Sequence, residues 1–168
     1  MDAIFNRRSI RSYLDKKIED DKVDKLIRAG MQAPSAMNGQ PWEFLVVQEK
    51  DTLKKLGEMS MFSKMVGGAP LAIVLLGNAK KMRAKAFFPQ DMGAASENIL
   101  LEATYLGLGG VWLGVNSISE REKFVRDIFK LPEEIMPFGI IVIGYPGAGQ
   151  ENKFVDRYNP EKVHYEKY

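Results

Sequence analysis

The sequence predicts one domain of mixed class, α+β or α/β. Strand-like apolar runs ("WEFLVVQ", "PLAIVLLGN", "VWLGV", "FGIIVIGYP") are interleaved with long helical patterns along the whole chain. Its 168 residues suffice for one hydrophobic core and are few for two. The composition, 45% hydrophobic and 27% charged, is that of an ordinary globular domain, and no repeat or linker divides it.

Taken in order, Asp2 is placed to cap a short helix carrying Ile4 and Phe5. "RRSIRSY" (7–13) reads as extended. Residues 18–33 carry Ile18, Val23, Leu26, Ile27, Gly30 and Met31 at helical spacing, opened by Asp20 or Asp21. "APSAMNGQP" breaks that helix with two prolines and a glycine before the strand "WEFLVVQ". "DTLKKLGEM" is a short helix, "SMFSKMVGG" fits neither period, and "PLAIVLLGN" is a buried strand.

Residues 90–108 form the longest predicted helix, with Met92, Ala95, Ile99, Ala103 and Leu106 as its buried stripe. "GLGG" ends it, with Gly107, Gly109 or Gly110 as the left-handed cap. After "VWLGV", Ser119 and Glu122 have the spacing of a capping box opening a helix that buries Phe124, Val125, Ile128 and Phe129. "FGIIVIGYP" is the last strand. Residues 146–168 have no amphipathic period, yet hold Phe154, Tyr158, Tyr165 and Tyr168, which favours an arm laid on another surface.

Composition removes several function classes. With no cysteine there is no disulfide, thiolate nucleophile or cysteine metal site, and a reducing cytoplasm is expected. One histidine, His164, cannot build a multi-histidine metal site. Net charge is +2 without a basic stripe, which argues against nucleic acid. "MDAIFNRRS" lacks a signal pattern and no apolar run approaches a membrane span, so a soluble protein is expected.

Against that balanced background, Arg7, Arg8 and Arg11 fall within five positions. Guanidinium forks suit phosphate oxygens, and the Ser9 hydroxyl can add a donor. Alternation in an extended segment puts Arg7, Ser9 and Arg11 on one face and Arg8 with Ile10 on the other. The plain alternative is a solvated patch, or ion pairs to "EDDKVD" (19–24). No Walker A or GxGxxG loop is present. "APSAMNGQPW" (33–42) is a stiff loop whose donors and acceptors suit the edge of a planar heterocycle, or else a turn entering a strand. In "GGVWLGV" (109–115), Trp112 reads as core, while Gly114 would let another group approach the backbone.

Together and in this order, "RRSIRSY", "APSAMNGQPWEFLVV", "DMGAASENILLEATYLGLGGVWLG" and "GYP…DRYNPEKVHYEKY" resemble the nitroreductase family of FMN-dependent flavoproteins across essentially the whole chain. The resemblance implies an α+β homodimer with a central antiparallel sheet flanked by helices, extended by a C-terminal arm (146–168) exchanged between subunits. It implies FMN at the interface and NAD(P)H as electron donor.

By resemblance, Arg7, Arg11 and Arg157 match positions that contact the FMN phosphate or ribityl chain, and Arg8 and Ser9 match contacts to the ring edge or ribityl hydroxyls. Pro34, Ser35, Ala36 and Asn38 match a loop laid on the cofactor by the partner. Trp112, Leu113 and Gly114 match the backbone beside the isoalloxazine ring. Many relatives carry a lysine where this chain has Val155.

The implied reaction passes hydride from NAD(P)H to flavin and then to an electron-poor acceptor, a nitroaromatic or quinone, by a ping-pong sequence. It needs no catalytic side chain and no metal. Phe87, Phe88 and Met65 are placed in the core before the acceptor pocket, Asp91 is expected to cap its helix, and His164 is expected to be structural or exposed. The alternatives are a specialised relative (a dehalogenase or dehydrogenase) and a non-catalytic flavin-binding or sensing protein.

Overall fold

In the run "LAIVLLG" no position offers a polar face, and β2 (Leu71–Asn78) is accordingly buried on both sides over residues 71–77. In the computed structural model, which describes residues 2–168, β2 pairs with β1 (Trp42–Val47) on one side and β4 (Ile135–Gly144) on the other. β3 (Gly109–Gly114) adds outside β4, giving the order β1-β2-β4-β3 with every pair antiparallel. The class is α+β.

Strand alternation divides the core in two. Leu71, Ile73 and Leu75, with Ile141 and Ile143, face α2 (Asp20–Met31) and α4 (Phe88–Tyr105). Ala72, Val74 and Leu76, with Ile140 and Val142, face α3 (Lys50–Gly57) and α5 (Ser119–Phe129). The α4 stripe Met92, Ala95, Ile99 and Ala103 is fully buried, and Leu106 ends the helix half-buried. Gly107, at φ +75°, takes the left-handed position; Gly109 and Gly110 belong to β3. "SKMVGG" becomes a short 3-10 turn over Lys64–Gly68.

Three local expectations are corrected. The N-cap of α2 is Glu19, and Asp20 and Asp21 lie in its first turn beside the positive helix end. The capping box at Ser119 does not form: Ile118 is the N-cap, and Glu122 accepts instead from the backbone N–H of Ser117 at 2.8 Å. Trp112 is 37% exposed, because as an edge-strand residue it has no strand beyond it. Val125 is the one fully buried side chain of α5, with Phe124, Ile128 and Phe129 half-buried.

After α1 (Asp2–Asn6), residues 7–13 run extended. Ile10, 2% exposed, seats on Gly109, where an added Cβ would come within 2.5 Å of Ile10 Cγ1. The first part of the tail lies along this same segment: Tyr13 bridges Pro146, Gly147 N–H donates to Ser12 O, and Phe5 packs on Phe154. Among the described residues, hydrogen bonds of 155–168 stay within that stretch, and Tyr158, Tyr165 and Tyr168 are exposed.

Candidate functional site

The arginine segment is held by β3 and by the first part of the tail. Ile10 N–H donates to Gly110 O at 3.0 Å, attaching it to β3. Side-chain amides of the tail hold it as well. Asn152 Oδ1 accepts from Arg8 N–H at 3.1 Å while its Nδ2 donates to Leu108 O at 2.8 Å, and Gln150 Oε1 accepts from Arg11 N–H at 3.0 Å. Carboxamides carry both donor and acceptor, so two backbones are joined without a regular ladder.

The guanidinium groups are not spent on "EDDKVD", whose Glu19, Asp20 and Asp21 pair with nearby lysines instead. Arg7 Nε pairs with Glu97 of α4 at 3.0 Å. Arg8, half-buried, donates to the carbonyls of Arg7 and Phe5 and leaves its buried Nε without a partner. Burial first, and then the charges of Arg157 and Arg7, push the Arg8 guanidinium below its ordinary pKa. Arg11 is exposed, with one weak bond to Ser9 O at 3.4 Å. Arg7 and Arg157 thus stand close enough to Arg8 to repel its charge, and Arg11 reaches back to Ser9.

β3 supplies an open edge next to that cluster. Val115 N–H donates inward to Phe138 O, and Gly110 O accepts outward from Ile10. Antiparallel alternation then turns the N–H groups of Trp112 and Gly114 outward. Nothing lies within 4 Å of where a Gly114 Cβ would sit. The Trp112 ring packs on Phe138 with centroids 5.6 Å apart.

The proline loop lies elsewhere. Asp91, 8% exposed in the first turn of α4, accepts from Ala36 N–H at 2.9 Å, so it anchors this loop and does not cap its own helix. Arg83 Nη1 donates to Met37 O at 3.1 Å, and Ser35 Oγ accepts from Gln40 N–H. Met37 and Asn38 are held at positive φ, 54° and 51°. With Phe87, which is 50% exposed, Pro34, Ser35, Ala36 and Met37 border a cavity of about 650 Å³. Phe88 is core, Met65 packs half-buried beneath the sheet, and His164 stacks on Tyr168. Among the described residues, no hydrogen bond or ion pair joins the proline loop to residues 7–11.

Asn152, Gln150, Glu97 and Arg83 shape these surfaces without any local pattern in the sequence announcing them. Among the described residues there is no cluster of three metal-ligating side chains, and no helix is long and apolar enough to cross a membrane.

The nitroreductase family model matches residues 4–63 and 58–145. The chain belongs to the nitroreductase family. Within the nitroreductase fold it superposes on the crystal structure of a candidate NADH oxidase of Clostridium acetobutylicum with a TM-score of 0.97 and 51% identity, over 99% of both chains. It is 43% identical to a candidate NADH dehydrogenase/NAD(P)H nitroreductase of Archaeoglobus fulgidus, over 98% of this chain and 96% of that protein. An FMN-dependent nitroreductase of Clostridium difficile matches at 31% identity and a TM-score of 0.90, over 99% of this chain and 98% of that one.

Proposed function

We propose that this nitroreductase-family chain is an FMN-dependent NAD(P)H oxidoreductase that works as a homodimer in the cytoplasm and reduces an electron-poor small molecule, a nitroaromatic or a quinone, by a ping-pong sequence. The observation that carries the reading is the orphaned Nε of Arg8 inside a convergence of guanidinium groups. A buried donor without a partner costs about 1–3 kcal/mol, and neighbouring cations add repulsion. A mononucleotide relieves both, bringing ribityl or ring-edge acceptors to Arg8 and a dianionic phosphate to the neighbouring guanidinium groups.

The residues present fit that group. Arg7, Arg11 and Arg157 would hold the phosphate and ribityl chain, with Arg8 and Ser9 at the ribityl hydroxyls or ring edge. The open edge at Trp112, Leu113 and Gly114 would flank the ring with outward N–H groups. Bound FMN supplies hydride acceptance from the nicotinamide and hydride delivery to the acceptor. The chain's share is to bind, orient, offer N–H donors where negative charge develops, and keep water out.

A second copy would complete this division of labour. The proline loop bearing Pro34, Ser35, Ala36 and Asn38 is not joined to its own arginine cluster, so the two would meet across a dimer. The exposed aromatics of 155–168 would lie on the partner, while 146–154 stays on its own chain.

The test is direct. Purified protein should be yellow, or become so with FMN, and should bleach anaerobically with NADH or NADPH. A colourless protein that cannot be reconstituted, or a flavoprotein reduced by neither donor, defeats the proposal. Sedimentation should give twice the chain mass.

A further inference from the structure

We infer that Arg121 tunes the cofactor's reactive edge, clamped on the Gly114 carbonyl so that a permanent positive charge stands at the open end of β3. The inference rests on the FMN reading above and deepens it. Arg121 lies in the first turn of α5, which folds back over the end of β3, and its Nη1 donates to Gly114 O at 2.8 Å. The same peptide unit is held at its other end, because Val115 N–H donates to Phe138 O at 3.1 Å. Held at both ends, the 114–115 peptide plane cannot rotate, while the Gly114 N–H, in the preceding peptide unit, is turned outward by the pairing of β3 with β4.

The charge is left available as well as the geometry. Among the described residues no carboxylate lies within 4.0 Å of Arg121. Its chain neighbour Glu122 is turned away, accepting from Ser117 N–H at 2.8 Å and Asn116 Nδ2 at 3.3 Å. Arg126, by contrast, spends two guanidinium nitrogens on the carbonyls of Pro132 and Glu133. An unneutralised guanidinium beside an open N–H suits a group that gains negative charge on reduction. It should favour the reduced ring over the oxidised one.

The experiment compares Arg121→Gln and Arg121→Lys with wild type in the FMN-loaded protein, measuring oxidised-FMN affinity by fluorescence titration and midpoint potential by dye equilibration. Arg121→Gln removes the charge and retains an amide donor. Its oxidised-FMN affinity should stay within about twofold, while its preference for reduced FMN falls about tenfold, equivalent to a drop of about 30 mV for a two-electron couple. Arg121→Lys should keep a potential near wild type. A wild-type potential in Arg121→Gln, or an equal drop in Arg121→Lys, overturns the proposal. Wild-type protein that takes up no FMN defeats the underlying reading instead, and is seen before any variant is made.

Discussion

The carboxylate of Asp91 accepts the backbone N–H of Ala36 at 2.9 Å, tying the first turn of the longest helix to the loop that borders the cavity. The loop needs such an anchor, since Met37, Asn38 and Gln40 all sit at positive φ, a conformation that side chains beyond glycine adopt at a cost.

Asp91→Ala should therefore cost about 1–3 kcal/mol, the penalty of stranding a half-buried N–H, while Asp91→Asn keeps an acceptor and most of the stability. Urea unfolding of the two variants checks this. Equal losses would mean that the carboxylate's charge, and not its acceptor oxygen, holds the loop.

Arg7→Ala should weaken FMN binding by roughly 1.5–3 kcal/mol, the size of a charge-assisted hydrogen bond. Flavin fluorescence quenching reads the affinity. An unchanged value would return the cluster to a solvated patch in which Arg7 serves only its ion pair with Glu97.

Two glycines of β3 should behave in opposite ways. Gly109→Ala drives a Cβ to 2.5 Å from Ile10 Cγ1, and overpacking of this kind costs about 1–3 kcal/mol. Because Ile10 carries the arginine segment, FMN affinity should fall with stability. Gly114→Ala meets open space and should change stability by less than about 0.5 kcal/mol. It should still weaken flavin binding, since the added methyl occupies the approach to the strand edge. Thermal melts of both apoproteins, with flavin titrations beside them, separate the cases.

Acid should loosen the junction of α2 and β4. The Tyr145 hydroxyl donates to Glu19 at 2.6 Å and, as the largest cause, holds that carboxyl down from 4.5 to about 2. A carboxyl with a depressed folded pKa adds stability that is complete above its ordinary value and is lost as pH falls from there through about 2. Tyr145→Phe should thus be less stable than wild type near neutral pH, with the gap closing on acidification. A gap that does not change with pH would assign the effect to the hydroxyl's other bond, accepted from Lys22 Nζ at 2.7 Å.

Much of the fold was legible because its signals are local. The strand at 71–78 has no polar position to expose, and the α4 stripe recurs at helical spacing, so period and composition suffice for both. Capping was misread at Ser119 because the decisive atom, the Ser117 N–H, reaches Glu122 only through a backbone turn at φ 66°. Trp112 looked like core because its apolar neighbours do not reveal that β3 is an edge.

The sequence by itself determined the arginine cluster, the stiff proline loop, the glycine-rich strand and the exclusion of thiol and multi-histidine chemistry, since each depends on residue identity and short spacing. Tertiary structure alone decided what those parts meet. Glu97 comes to Arg7, Asn152 to Arg8, Asp91 to Ala36 and Arg121 to Gly114. The Asn152 and Asp91 pairs join residues far apart in the chain, and the Arg121 bond forms only because α5 folds back over β3. The interaction free energy of each depends on distance and burial after folding, which no short window of sequence contains.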